Sequence, residues 1–154
     1  MALTGRFNDV CNWVKTAILT TEALKQRITV FKRFLSLANS LKTMKNYNGT
    51  LAVFSGLESG AILRMKATIE PVLSNKKYSA MYNDLKALLN VKNNYSRLRD
   101  VIKEDLRDRS RYIVIPYLGQ FLTDLLFIEE GNPRMIQGPL SLPSLYSLLN
   151  PYIS

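Results

Sequence analysis

From Phe7 to Leu106 apolar residues return at every third or fourth position, and no stretch of strand length alternates between apolar and polar. That recurrence matches the turn of an α-helix, so each segment can bury one stripe and leave the other wet. Phe7, Val10, Val14, Ala17 and Ile18 form the first stripe. Leu24, Ile28, Phe31, Leu35, Ala38 and Leu41 form the second, with Lys25, Arg27, Lys32, Arg33 and Lys42 largely off it. Thr20 or Thr21 is expected to cap this second helix, with Glu22 in its first turn. Asn46–Gly49 reads as a turn or cap, and Leu51, Val53, Phe54 and Leu57 as a short helix buried on most sides. Gly60 interrupts the pattern; Ile62, Met65 and Ile69 resume it until Pro71. Further stripes follow at Met81–Leu89, Leu98–Leu106 and Leu118–Ile128, the last stopped by Gly131, Asn132 and Pro133. A short apolar helix is expected at Leu145–Leu149, between Pro143 and Pro151. Tyr112–Ile115 is β-branched enough for a strand, but four residues without a partner do not make a sheet. The expectation is an all-α fold, a single domain over residues 1–154 with about seven helices.

Several kinds of chemistry fall away on composition. The 154 residues contain no histidine and one cysteine, Cys11. Without histidine the commonest general base, the commonest metal ligand and the Ser-His-Asp and Cys-His arrangements are all missing. One cysteine excludes an internal disulfide and leaves a zinc site without ligands. There is no G-x-x-x-x-G-K-[ST] phosphate loop. We therefore expect no cofactor, no metal and no chemical catalysis. The N-terminal residues lack the basic start and long apolar run of a signal peptide, and neither end carries a lipidation motif, so a cytoplasmic protein is expected. The formal net charge is +9, yet the cations are spread along the chain, and Arg97–Arg111 is interleaved with Asp100, Glu104, Asp105 and Asp108. That mixture reads as a solvated helix face with local ion pairs rather than as a nucleic-acid stripe, and no nucleic-acid partner is expected. Carboxylate neighbours such as Asp105 with Asp108, or Glu129 with Glu130, read as solvated faces too.

The segment Ile113–Pro133, IVIPYLGQFLTDLLFIEEGNP, stands apart. It opens with a dense apolar run, turns through Pro116 and Gly119, becomes helical and ends in an acidic pair. Its apolar run is shorter than the ~20 residues a membrane span needs, so it is expected to be a soluble helix able to wedge against another protein.

The order of motifs resembles the catalytic domain of Ras-family guanine nucleotide exchange factors. FNDVCNWVKTAIL looks like the helix that opens that domain's core, and R-x-x-V-F-K-R-F-L-x-L-A, from Arg27, like the next. MKNYNGTLAVFSGLESGAILRMKAT, Met44–Thr68, resembles the stretch with an Asn-Phe-Asn turn, a Ser-Gly-Leu and an Arg-Leu-Lys. Asn94-Tyr95-Ser96-Arg97 resembles the Asn-Tyr-x-x-x-Arg helix start. VIPYLGQFLTDL resembles the Val-Pro-Tyr/Phe block, and FIEEGNP its ending. The resemblance runs from residue 7 to residue 133.

The resemblance implies a helical domain with a protruding helical hairpin that binds a Ras-like small GTPase, of Ras, Rap or Ral type, and opens switch I so that GDP leaves. Leu126 and Glu130 match the pair that intrudes where magnesium and phosphate sit, and Asn132 matches a position that holds the hairpin. Tyr117 matches an aromatic contact to switch II, and Ala38, Lys45, Asn46 and Asn48 match the region facing the same switch. The chain departs from the family in three places: Lys45 stands where asparagine is usual, Ala38 is small, and Ile69 replaces a tryptophan. It also reads as shortened, lacking helices before Phe7 and the returning helices after Pro133. A degenerate module that binds a GTPase or another protein without exchange is the alternative. Apolar surface left by shortening is expected to favour a homodimer, and a membrane to be met only indirectly, through a GTPase at its cytosolic face.

Overall fold

The computed structural model describes residues 2–107, 113–119, 122 and 124. Seven helices occur among them: α1 (Ala2–Leu19), α2 (Leu24–Thr43), α3 (Tyr47–Leu57), α4 (Gly60–Leu63), α5 (Lys66–Leu73), α6 (Lys76–Leu88) and α7 (Lys92–Arg107). The all-α expectation holds. No strand occurs among the described residues, and no helix there is long and apolar enough to cross a membrane.

α3 is the centre of the described helices. Tyr47, Thr50, Leu51, Ala52, Val53, Phe54, Gly56 and Leu57 are all buried, because α1 and α2 both pack along it. Its composition explains the position: YNGTLAVFSGL carries no charge, so every face can leave water, and each large apolar side chain buried contributes about 1.5–3 kcal/mol. Gly56 lets α1 come close. A Cβ there would lie 2.7 Å from Val14 Cβ and 3.0 Å from the Cys11 carbonyl oxygen, so the glycine of the Ser-Gly-Leu motif is a packing requirement. α2 has α5 and α6 along its other flank, with Phe31, Phe34, Leu35 and Ala38 as its buried stripe.

Arg27 ties the α1–α2 turn to α5. Its Nε donates to the buried Thr68 Oγ1 at 2.9 Å, and its Nη1 donates to the Thr21 carbonyl at 3.0 Å. A guanidinium can satisfy both at once because its donors fork in one plane.

Three local expectations are corrected. Thr20 and Thr21 do not cap α2; their hydroxyls donate backwards to the carbonyls of Thr16 and Ala17, at 2.8 and 2.7 Å, and so close the end of α1. α2 starts at Leu24 behind Ala23, which offers no cap, and Glu22 lies outside the helix. Pro71 does not end α5, which continues to Leu73. The proline removes only the bond to the carbonyl of Ala67, an exposed residue whose carbonyl can turn to water, and the burial of Ile69 and Val72 on either side holds the turn.

Candidate functional site

The α2–α3 turn is built by the sequence Met44-Lys45-Asn46. Lys45 N–H donates to the Lys42 carbonyl at 3.0 Å and Asn46 N–H to the Leu41 carbonyl at 2.9 Å, the paired bonds of a Schellman stop. That stop needs a left-handed residue, and Lys45 takes it at φ 59°. Asn46 then caps α3: its Oδ1 accepts from Gly49 N–H at 2.9 Å.

The Val-Pro-Tyr block docks on this turn. Ile115 N–H donates to the Lys45 carbonyl at 3.0 Å, and Tyr47 N–H donates to the Ile115 carbonyl at 2.8 Å, forming an isolated parallel bridge between Asn46 and Ile115. The β-branched run therefore does find a partner, although that partner is a turn between helices. Two residues on, the Tyr117 ring lies 5.6 Å from Phe7 of α1 and 5.6 Å from Tyr95 of α7. Gly119 makes room for it: a Cβ at that position would sit 2.5 Å from Tyr117 Cζ. Burial raises the pKa of Tyr117, and burial followed by the closeness of Tyr117 raises that of Tyr95. Both hydroxyls stay neutral donors at physiological pH.

α7 fastens the arrangement from below. Asp105 accepts from the Tyr47 hydroxyl and from Lys45 Nζ, the latter at 2.7 Å. Burial, and then the hydrogen bond to Asp105, push the Tyr47 pKa well above its ordinary value of 10.0. Arg99 grips Asp124 with two bonds, Nη1 to Oδ2 at 2.9 Å and Nη2 to Oδ1 at 2.7 Å, and its Nε donates to the Asn94 carbonyl at 2.9 Å. Asn94 and Tyr95 both have positive φ, 53° and 57°. This strained pair directs the chain so that Tyr95 meets Tyr117 and the Asn94 carbonyl meets Arg99. Asp105 is thus no solvated acid, and these two ion pairs of α7 are long-range rather than local.

The structure brings Tyr117, Lys45, Asn46 and Asn48 to one surface. Asn48 makes no side-chain hydrogen bond among the described residues, which leaves its amide available. Ala38 does not join them: it is fully buried in the α2 stripe, so its small side chain belongs to packing. Leu126, Glu130 and Asn132, with the expected hairpin, lie outside the described residues. Among the described residues no group of three or more acidic, histidine or cysteine side chains could hold a metal ion.

Sequence reasoning passed over Arg99, Asp105 and Asp124. For the first a signal existed, since the motif Asn-Tyr-x-x-x-Arg counted from Asn94 puts its arginine at Arg99. For the two aspartates only the fold supplies the partner.

The described residues form a helical domain in which the Val-Pro-Tyr block docks on the α2–α3 turn. A RasGEF domain family model matches residues 1–144, and the chain belongs to that family. It is 39% identical over 154 residues to Ras guanine nucleotide exchange factor K of Dictyostelium discoideum, covering 100% of this chain and 9% of that protein. Factors M and D of the same organism are 35% and 33% identical, over 88% and 96% of this chain and 14% and 21% of their own lengths. The chain thus spans a small part of each of these relatives.

Proposed function

We propose that this chain binds a Ras-like small GTPase, of Ras, Rap or Ral type, and promotes release of its GDP. The supporting observation is the docking of the Val-Pro-Tyr block on the α2–α3 turn. Two segments that resemble the family's switch II contacts lie about 70 residues apart in sequence and meet through the Asn46–Ile115 bridge. In this reading Tyr117, Lys45, Asn46 and Asn48 meet switch II. Leu126 and Glu130 enter the nucleotide site from a hairpin steadied by Asn132, in the roles the resemblance assigns. Leu126 displaces the hydrated cation, and Glu130 competes for the groups that held phosphate. The work is a population shift: tighter binding to the nucleotide-free GTPase than to the loaded one draws the equilibrium toward release.

The test is release of a fluorescent GDP analogue from a panel of Ras-like GTPases. Acceleration that both Leu126→Ala and Glu130→Ala weaken supports exchange through the hairpin. Binding without acceleration makes the chain a GTPase-holding module, and the absence of both binding and acceleration overturns the reading. We further propose that the chain works in the cytoplasm and pairs with a second copy through the apolar surface around Trp13, which is 55% exposed, and Leu37. A monodisperse monomer across a wide concentration range in sedimentation would refute the pairing.

A further inference from the structure

α2 carries five cations, Lys25, Arg27, Lys32, Arg33 and Lys42, and no acidic residue in its 20 positions. Two are committed: Arg27 to Thr68 and the α1–α2 turn, Lys42 to Asp84. Among the described residues Lys25, Lys32 and Arg33 have no carboxylate partner. At about 100° per residue they fall within roughly 100° of one another around the helix. Lys25 and Arg33 line one open groove of about 440 Å³ with Thr21, Gln26 and Thr29. Lys32 Nζ lies 5.2 Å from the centre of the Tyr78 ring, and Lys77 of α6 lies 6.0 Å from the same ring. Lys76 and Lys77 open α6, whose first turn has no acid, although cations there oppose the helix dipole. The face therefore gathers Lys25, Lys32, Arg33, Lys76 and Lys77, and the exposed acids Glu22 and Glu70 on the neighbouring turn and α5 form no ion pair with them among the described residues. Leu19 and Leu24, 46% and 42% exposed, flank the turn at its edge.

We propose that this face seats the chain directly on an anionic lipid surface. Cations on the outer sides of two helices, with exposed leucines at one edge, suit a headgroup layer over an apolar interior. Single-stranded nucleic acid fits less well, since the one aromatic ring in the cluster already has lysines against it and cannot stack a base freely. The face is also clear of the surface around Tyr117. Lys25 stands at one end of α2 and Lys45 just beyond the other, ~30 Å away at 1.5 Å per residue, so lipid and protein can be held together.

The measurement is co-sedimentation of the chain with phosphatidylcholine vesicles, with and without about 30% phosphatidylserine, at about 0.1 M salt. It needs no GTPase, so its outcome is separate from that of the exchange assay. Binding is expected only to the anionic vesicles. It should fall about fivefold per charge removed, on the order of a hundredfold for Lys25→Gln/Arg33→Gln/Lys77→Gln, and stay unchanged for Lys103→Gln on α7. These side chains are at the surface, and circular dichroism will verify that the variants fold. Leu24→Ser should weaken vesicle binding and leave any binding to duplex DNA untouched. Because the chain has no histidine, vesicle binding should be level from about pH 5.5 to 8. Equal binding to neutral vesicles, a triple variant that binds like the wild type, or tight DNA binding without vesicle binding would each overturn the proposal.

Discussion

Replacing Lys45 sets two opposed effects against each other at one residue. Its backbone is left-handed, φ 59°, where a side chain with a Cβ costs about 1–2 kcal/mol and asparagine distinctly less. Lys45→Asn should recover about 0.5–1 kcal/mol of that strain. Against this stands the ion pair with Asp105, at 2.7 Å, whose side chains are 30% and 16% exposed. An exposed pair would contribute about 0–1 kcal/mol, but this carboxylate is mostly out of water. Without Lys45 it keeps the Tyr47 hydroxyl and loses a charged donor, a cost of about 1.5–2 kcal/mol. The pair wins, and Lys45→Asn should destabilise the chain by about 1 kcal/mol, or about 3 °C in Tm for a domain of this size. With Asp105→Asn already in place only the strain remains, and the same substitution should stabilise by about 0.5 kcal/mol. Urea unfolding of the four proteins, followed by circular dichroism, measures both. A Lys45→Asn effect of the same sign and size in both backgrounds would refute the coupling.

Other consequences follow from the same geometry. Gly56→Ala should cost about 1–3 kcal/mol, because α1 must move away from α3; full stability in urea would mean that the crossing is looser than 2.7 Å. Exchanging the partners, Arg99→Asp with Asp124→Arg, should restore part of the stability that either single change loses, with a coupling of about 1–2 kcal/mol since both side chains are about a quarter exposed; single changes that simply add would count against the grip. The raised pKa of Tyr47 means that the folded state holds this proton more tightly than the unfolded one. Its contribution is complete below pH 10 and is lost as pH rises through the folded value, so the wild type should lose stability above pH 10 more steeply than Tyr47→Phe. Parallel curves in alkaline urea titrations would show that burial and Asp105 together do not hold the proton on the Tyr47 hydroxyl.

Periodicity carried most of the fold. A stripe such as Phe31–Leu35–Ala38 declares its buried face locally, and the uncharged run of α3 declares burial on all sides. What it could not carry were choices settled by a neighbour. A threonine between two helices can serve either, and Thr20 and Thr21 serve the one before. Pro71 looks like a stop until Ile69 and Val72 are seen to be buried around it. Asp105 lies in a mixed-charge run that satisfies every rule for a solvated face, and only the approach of the α2–α3 turn turns it inward. The motif order identified the family, while the meeting of Ile115 with Asn46 and of Arg99 with Asp124 needed the tertiary structure. Ala38, matched to the region facing switch II, is also the stripe residue that periodicity named, and it is fully buried.

The most direct test of the account is amide hydrogen exchange of the chain, free and with a nucleotide-free Ras-like GTPase. Added protection is expected at residues 45–48 and 114–119, where the Val-Pro-Tyr block lies on the turn, and none on the outer face of α2 around Lys25 and Arg33. Protection confined to that basic face, with residues 45–48 and 114–119 unchanged, would contradict it.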